Sequence, residues 1–338
     1  MKNRNPNLDL LRFIAANLVV LFHVVYIEWG GVGHLGRLRP LGDLGYLGVD
    51  VFFAISGYVI SLSAVDRQAK DFLISRFIRL FPGLFLAALI AALCMQSKHA
   101  PVHTNIFGDV SSLFLLNTAT GTQSSNPVFW TLAYEFKFYI IISILLLLHK
   151  NTLVNIRTAA IFWLFISFIL IPYPGGILGS IFIPDYAPCF IFGILLSGIK
   201  SRKELFQNIP ILSVTLTLAI NNRLQEWKTL PVYRQQWHSA TLTGLTLLLL
   251  FALFAVAVYV PLHSKKFTKI TYKLGSYSYP IYLFHFTPML TLLSALYAKT
   301  HHAVSAVLIS YLAMLLLSIV FAEMIEPKLK KILKRAMV

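Results

Sequence analysis

Long apolar runs separated by short polar segments recur along the whole chain. Each run is close to the ~20 residues with which an α-helix crosses the hydrocarbon core of a bilayer. Ten candidate spans follow from this pattern, at 8–27, 45–63, 77–96, 129–148, 158–173, 184–199, 209–225, 239–261, 276–297 and 303–325. The strict alternation that a transmembrane barrel needs is absent. The pattern therefore predicts an all-α fold, a polytopic membrane bundle of about ten transmembrane helices.

The run at 209–225 is the weakest of the ten, because Asn221, Asn222 and Arg223 shorten its apolar part. No internal repeat or linker divides the sequence. We therefore expect a single integral-membrane domain over 1–338, with its spans between 8 and 325 and a short basic tail at 326–338.

The composition and the charge agree with this class of protein. Hydrophobic residues make up 57% of the chain and charged residues 12%, about half the charged fraction of a soluble domain. With a cytoplasmic N-terminus, 20 Lys and Arg residues fall in cytoplasmic loops and 7, with Arg223 counted among them, in outer loops, while Arg12 and Lys137 lie inside spans. This bias places both termini in the cytoplasm. The net charge of +16 is then largely a topology signal, so we expect membrane lipid and no nucleic acid as a partner.

The first span carries a cation and a titratable ring. Arg12 and His23 are eleven residues apart, a rise of about 16 Å and close to three full turns, so they share one helix face. A charge inside a span is costly and usually faces a polar cavity. Two readings stay open. Arg12 extends to the interface and pairs with Asp9 while His23 is an ordinary core histidine, or both line a functional site.

Further polar residues interrupt later spans. Asp50 lies at the start of the second span, Glu135 and Lys137 lie within the fourth, and His285 lies in the ninth. Asp50 alone can be read as a helix-start carboxylate favoured by the helix dipole. Glu135 and Lys137 are harder to read as structural, since two charges inside one span are rarely decorative.

Two arginines mark the entrance to the third span. Arg76 and Arg79 are three residues apart and share a helix face, where they can grip one anionic group. The plainer interpretation is ordinary positive-inside flanking. His99 and His103 have helical spacing without a third ligand nearby, so no metal is expected.

Five motifs in order give the sequence a family resemblance. The pair Arg12 and His23, "GVDVFFAISGY", "RFIRLFP", "FWTLAYEFKFY" and "SYPIYLFH" together resemble the integral-membrane acyltransferase-3 family, from the first residues to about 290. The resemblance implies about ten helices with a cytoplasmic N-terminus, in agreement with the charge count. It also implies a multi-pass protein of the bacterial inner membrane.

The resemblance implies transfer of an acyl group, most often acetyl, from cytoplasmic acyl-CoA to a hydroxyl of a cell-surface polysaccharide or lipid-linked sugar. Carried over by motif, the donor site takes Arg12, Arg76 and Arg79, to which we add His285. His23 is expected to act as a general base, because a neutral histidine takes the proton of an attacking hydroxyl near pH 7.

A carboxylate, Asp50 or Glu135, would fix the tautomer of His23, as in hydrolase triads. Which of the two does so stays open, as does an acyl-histidine intermediate. The rival class is a transporter or flippase for a glycan or small anion, in which intramembrane Arg, His and Glu line the pathway. The lack of two matching halves in the sequence favours the enzyme.

Overall fold

The computed structural model describes residues 5–26, 42–104, 106–114, 121–173, 176–229, 239–260 and 264–337. All regular structure within these ranges is helical. The first seven helices are α1 Pro6–Tyr26, α2 Gly48–Ala64, α3 Ala69–Cys94, α4 Ile106–Leu113, α5 Trp130–Leu147, α6 Leu153–Leu170 and α7 Ile177–Phe182. The remaining helices are α8 Ala187–Ser197, α9 Arg202–Thr229, α10 Ala240–Tyr259, α11 Lys265–Phe284, α12 Thr287–Thr300, α13 Ala303–Val320 and α14 Glu326–Met337.

Short 3₁₀ or π-helical turns flank several of the α-helices. The 3₁₀ turns Gly45–Leu47 and Pro127–Phe129 precede α2 and α5, and a π-helical turn, Phe321–Ile325, joins α13 to α14. The predicted basic tail is therefore helical, since α14 covers nearly all of 326–338.

The number of spans is close to the prediction. Within the described ranges, eight helical segments are long and apolar enough to cross a membrane, and nine if the bent pair α11 and α12 counts as one span. The difference from ten is the run at 209–225. It lies inside the 28-residue helix α9, whose polar residues keep it below the apolarity of a span. The chain is a multi-pass helical membrane protein.

The surface of α10 shows that the surrounding solvent is lipid. Its buried face carries Thr243, Leu247, Phe251 and Phe254, whereas its exposed residues are almost all aliphatic, such as Leu249. In water an apolar face is buried and a polar face is exposed. A helix that is apolar on both faces is either enclosed in a protein core or embedded in a membrane, and the exposed outer face of α10 fits the second case.

The described chain divides into two compact units. The first comprises Met1–Leu8, Leu47–Leu73 and Tyr134–Leu262, and the second comprises Asp9–Tyr46, Ile74–Ala133 and His263–Val338. Each unit draws segments from both halves of the sequence. A single domain over 1–338 stays a prediction.

In the first unit, α2 and α8 cross with their backbones in contact. A Cβ added to Gly57 would lie 1.9 Å from the Phe190 carbonyl oxygen, and one added to Gly193 would lie 1.9 Å from that of Ala54. Next to this crossing, the Ser61 hydroxyl donates to the Ser197 hydroxyl at 3.0 Å. Small residues at helical spacing let membrane helices approach in this way, because dispersion and close hydrogen bonds replace the missing hydrophobic effect.

In the second unit, α1 and α11 run side by side in the same direction. Near their N-terminal ends a Cβ on Gly275 would lie 2.6 Å from the Asp9 Cβ, so only glycine allows this approach. Near their C-terminal ends His23 meets His285. The two motifs that contain these histidines are therefore held together by the packing of the helices that carry them.

Candidate active site

A break between α11 and α12, in the ninth of the ten predicted spans, forms the centre of the site. Helices α11 and α12 meet at an angle of 66°, with His285 and Phe286 between them. In a continuous helix the carbonyls of Tyr282 and Leu283 would accept the N–H groups four residues later. Inside a membrane such freed carbonyls need other donors. The break thus creates polar attachment points at a depth where the rest of the span is apolar.

Two side chains satisfy the freed carbonyls. The His285 ring places Nδ1 2.7 Å from the Tyr282 oxygen, and the Asn126 amide donates to the Leu283 oxygen at 2.9 Å. The Thr287 hydroxyl donates to the Ser125 carbonyl at 2.8 Å. These contacts fix the backbone on both sides of the break, so the position of His285 is well defined.

His285 lies directly against His23. Its Nε2 is 3.2 Å from the Nδ1 of His23, which is also 2.9 Å from the carbonyl oxygen of Val19. His285 is fully buried and His23 is partly accessible. The rings of Phe22 and Phe286 each approach the His23 ring edge to face, with centroids 5.0 Å apart. The pair is therefore enclosed by aromatic rings and by its own hydrogen bonds.

The hydrogen-bond network assigns one tautomer to each ring. In both histidines Nδ1 faces a backbone carbonyl, which can only accept, so Nδ1 carries the hydrogen. A neutral imidazole carries a single N–H, so the Nδ1–H of His23 is shared between the Val19 carbonyl and the Nε2 of His285, which accepts. This leaves the Nε2 of His23 as a lone pair. A lone pair on the partly accessible ring is the arrangement that a general base requires.

The three candidate donor-site arginines lie on the N-terminal parts of α1 and α3. The guanidinium of Arg12 is 3.7 Å from the Asp9 carboxylate, a long ion pair, and its side chain is 14% exposed. Arg12 thus pairs with Asp9, as the plainer reading expected. It also shares a helix face with His23, about 16 Å away along α1.

Helix α3 runs beside α11 in the second unit. The Tyr279 hydroxyl donates to the Leu80 carbonyl at 2.7 Å, and a Cβ on Gly83 would lie 2.6 Å from the Tyr279 ring. Arg76 and Arg79 precede this contact on α3, where Arg79 is exposed and Arg76 is partly exposed. Five of the seven predicted site residues, namely Arg12, His23, Arg76, Arg79 and His285, therefore belong to the second unit.

The two candidate carboxylates belong to the first unit and have partners of their own. Asp50 accepts from the Cys189 thiol at 3.3 Å and lies 3.5 Å from the Nε of Arg223. Glu135 accepts from the Tyr139 hydroxyl at 2.5 Å and the Ser56 hydroxyl at 3.3 Å. Within the second unit, the imidazole of His285 contacts the Nδ1 of His23, and support of His23 by Asp50 or Glu135 stays a prediction.

Sequence reasoning missed two residues. Arg223 was counted as an outer-loop charge, but only 2% of its side chain is exposed, so it leaves the topology count and the outer total falls to six. The resulting count of 20 to 6 assumes ten crossings, and it therefore requires that α9, which is 28 residues long, also crosses the membrane. Asn126 gives no signal in the sequence, because a single asparagine before a span resembles a helix cap. The helix break that Asn126 supports does have a sign in the sequence, since two prolines, Pro280 and Pro288, flank it.

Comparison with known proteins identifies the family. The model of an acyltransferase domain, the acyltransferase-3 type, matches residues 5–323. The chain belongs to this family, as the five motifs indicated. No solved structure matches the chain significantly.

Several curated relatives match parts of the chain. The peptidoglycan O-acetyltransferase OatA of Listeria monocytogenes is 27% identical over 156 residues, 40% of this chain and 23% of the relative. The acyltransferase MdmB of Streptomyces mycarofaciens is 30% identical over 146 residues, 40% and 38% of the two chains. The O-acetyl transferase of Shigella phage Sf6 is 27% identical over 157 residues, 42% and 46%. The alignments cover less than half the length of each of these relatives.

Proposed function

We propose that the protein is a membrane O-acetyltransferase that moves an acetyl group from acetyl-CoA to a hydroxyl of a cell-surface polysaccharide or lipid-linked sugar. The observation that carries this proposal is the His23–His285 pair, in which the hydrogen-bond network leaves the Nε2 of His23 free to accept a proton. Membership of the acyltransferase-3 family and relatives named as O-acetyltransferases support the same reaction class.

The chemistry needs one base and one thioester. The Nε2 of His23 takes the proton of the acceptor hydroxyl as its oxygen attacks the acetyl carbonyl. The C–O bond forms, the C–S bond breaks, and the coenzyme A sulfur leaves and takes up the proton that His23 holds. His285 accepts from the Nδ1–H of His23 and so keeps the ring oriented and stabilises its cationic form, the role of the carboxylate in hydrolase triads.

The donor is proposed to bind in the second unit. Coenzyme A is polyanionic, and the arginines at the N-terminal parts of α1 and α3 are suited to its phosphates because guanidinium binds phosphate bidentately. Its long thin arm would reach along α1 toward His23, since about 16 Å separates Arg12 from His23 on the helix.

The positive-inside count supports a cytoplasmic donor and an outer acceptor, in the inner membrane of a bacterium. In that orientation acetyl groups cross the membrane while coenzyme A stays inside. Sealed, oriented vesicles test this arrangement. Acetylation of an impermeant glycan on the outer face should require acetyl-CoA on the cytoplasmic face. Equal acetylation of a glycan that is confined to the cytoplasmic face would contradict this arrangement.

One observation favours the rival class. A broken helix with polar residues at the break is a common feature of transporter binding sites. A transporter moves its substrate unchanged and depends on a gradient, whereas an acetyltransferase needs none. The two functions therefore differ in a single measurable requirement.

The deciding experiment uses purified protein in lipid nanodiscs, which hold no gradient. Acetyl-CoA labelled in the acetyl group is supplied with envelope glycan from a strain that lacks this gene. We expect alkali-labile label on the glycan with the wild-type protein and none with His23→Ala, while His301→Ala, an exposed histidine, behaves as wild type. Failure of the wild-type protein to transfer, together with gradient-driven glycan movement in vesicles, would establish a transporter.

A further inference from the structure

A second polar cluster lies wholly in the first unit, where α2, α8 and α9 meet. At its centre is Arg223, which is 2% exposed. Its guanidinium donates to the Tyr186 hydroxyl at 2.6 Å and to the Asp185 carbonyl at 3.0 Å, and it forms an ion pair with Glu226. Asp50, 1% exposed, lies beside its Nε. Burying these charges carries a desolvation cost of several kcal/mol per ion, which calls for an explanation.

A purely structural role does not explain why charged side chains are buried at this position. The neighbouring Asn222 already ties α9 to the start of α8, because its amide donates to the carbonyls of Pro184 at 3.0 Å and Asp185 at 3.1 Å. In addition, Asp50 Oδ2 is buried and has no hydrogen-bond partner among the described residues. Buried carboxylate oxygens are normally hydrogen-bonded, so this exception calls for a partner, and a ligand that donates hydrogen bonds can supply one.

Aromatic rings adjoin the charges. Tyr186, Phe53 and Tyr134 contact one another, with centroid distances of 5.1 Å from Phe53 to Tyr186 and 5.5 Å from Tyr134 to Tyr186. The guanidinium carbon of Arg223 lies 3.9 Å from the centroid of the Tyr186 ring. Tyr134 is partly exposed, so the aromatic group reaches the surface of the unit.

The accessible part of the cluster is acidic. Glu226 is 24% exposed and Asp185 is also partly exposed. With Asp50, three carboxylates surround one guanidinium. This excess of negative charge repels a polyanion such as coenzyme A. Carboxylates are strong acceptors for hydroxyl groups, and rings offer flat apolar surfaces to the C–H faces of a sugar. Rings combined with a few polar groups are typical of small-ligand sites.

We propose that this cluster is the subsite that binds the acceptor sugar, an inference that rests on the proposed transferase function. Tyr134 stacks on the sugar ring, and Asp185 and Glu226 accept from its hydroxyls. Arg223 is a positioning residue that holds Glu226 through their ion pair, and Asp50 holds Arg223 in turn. The positive-inside count assigns the start of α2 to the outer side, where a surface glycan is met.

Acceptor kinetics test the subsite in nanodiscs, with acetyl-CoA as donor and envelope glycan from the deletion strain as the acceptor probe. Glu226→Gln and Tyr134→Leu should each raise the acceptor KM about tenfold, because each removes a ground-state contact. The donor KM, and the rate of any acetyl-CoA hydrolysis measured without acceptor, should stay within about twofold of wild type. Tyr134→Phe keeps the ring and should keep most of the affinity.

Matched controls lie elsewhere in the same unit. Glu204→Gln makes the same chemical change near the other end of α9, about 33 Å along the helix from Glu226. Tyr173→Leu removes a ring that is 70% exposed. Both should behave as wild type.

Three results separate the possibilities. A selective rise in acceptor KM supports the subsite. An unchanged acceptor KM, or equal losses for donor and acceptor, overturns it while leaving the transferase intact. Absence of transfer by the wild-type protein overturns the proposed function, and with it this inference.

Discussion

The two compact units differ in the charge of their candidate functional residues. The second unit contributes arginines and histidines, on α1, α3 and the broken helix α11. The first unit contributes carboxylates, which cluster with aromatic rings around a single buried arginine. A basic set suits a polyanionic donor, and an acidic, aromatic set suits a hydroxyl-rich acceptor. The difference shows that the role of an intramembrane polar residue is better inferred from the residues that it contacts than from its depth in the membrane.

Replacing His23 should have the largest effect on the reaction. General-base catalysis contributes about 10²–10⁴-fold, so His23→Ala should lower kcat for acetyl transfer by that factor while both KM values change little. Single-turnover measurements in nanodiscs provide the rate. Near-wild-type turnover in a normally inserted variant would remove His23 from the mechanism and leave the second unit without a base.

The arginines of α3 should affect the donor alone. Hydrogen bonds to charged groups contribute about 1.5–3 kcal/mol, so Arg76→Ala or Arg79→Ala should raise the acetyl-CoA KM about tenfold to a hundredfold. Lysine at either position should restore only part of the affinity, because it cannot bind phosphate bidentately. Lys70→Ala, an exposed cation on the same helix, serves as control. If both arginine variants keep the wild-type donor KM, the doublet is a topology signal only.

Two buried asparagines allow the units to be compared directly. Asn126 and Asn222 each donate to backbone carbonyls, the first at the helix break and the second at the start of α8. An unsatisfied buried carbonyl costs about 1–3 kcal/mol. We expect Asn126→Ala to lower kcat about tenfold at constant acceptor KM, and Asn222→Ala to raise acceptor KM at constant donor hydrolysis. The same kinetic change in both variants would contradict the division of labour.

Glu135→Gln should have the smallest effect. A glutamine oxygen still accepts from the Tyr139 and Ser56 hydroxyls, so the local structure is preserved. We expect less than about a threefold change in any kinetic constant, with pH–rate profiles as the sensitive readout. A change in the apparent base pKa seen in that profile would instead connect Glu135 to His23, as the sequence first suggested.

Much of the architecture could be predicted from sequence because the hydrocarbon core imposes one length and one composition on its helices. The run at 209–225 is instructive. Its short apolar part could be recognised, but the buried Arg223 could not, since a charged residue near a predicted span end resembles a loop residue until its partners are known.

The functional chemistry was predicted less completely. Both histidines could be singled out as polar residues in apolar runs, but their contact depends on the packing of α1 against α11, far apart in sequence. The break at His285 is a local backbone event for which Pro280 and Pro288 give only an indirect sign. Asn126 acquires its role solely from the carbonyl that this break releases.

The glycine contact between α2 and α8 has a practical consequence. Because the two backbones touch at Gly57 and Gly193, neither helix can slide or rotate against the other without a collision of main-chain atoms. The pair thus behaves as one rigid strut. Ser61 and Ser197, whose hydroxyl oxygens are 3.0 Å apart, mark a place where two introduced cysteines would tie together parts that already move as one. A disulfide at this position should leave turnover unchanged. It therefore serves as a control for disulfides placed elsewhere, whose effects on turnover would identify the motions that the catalytic cycle requires.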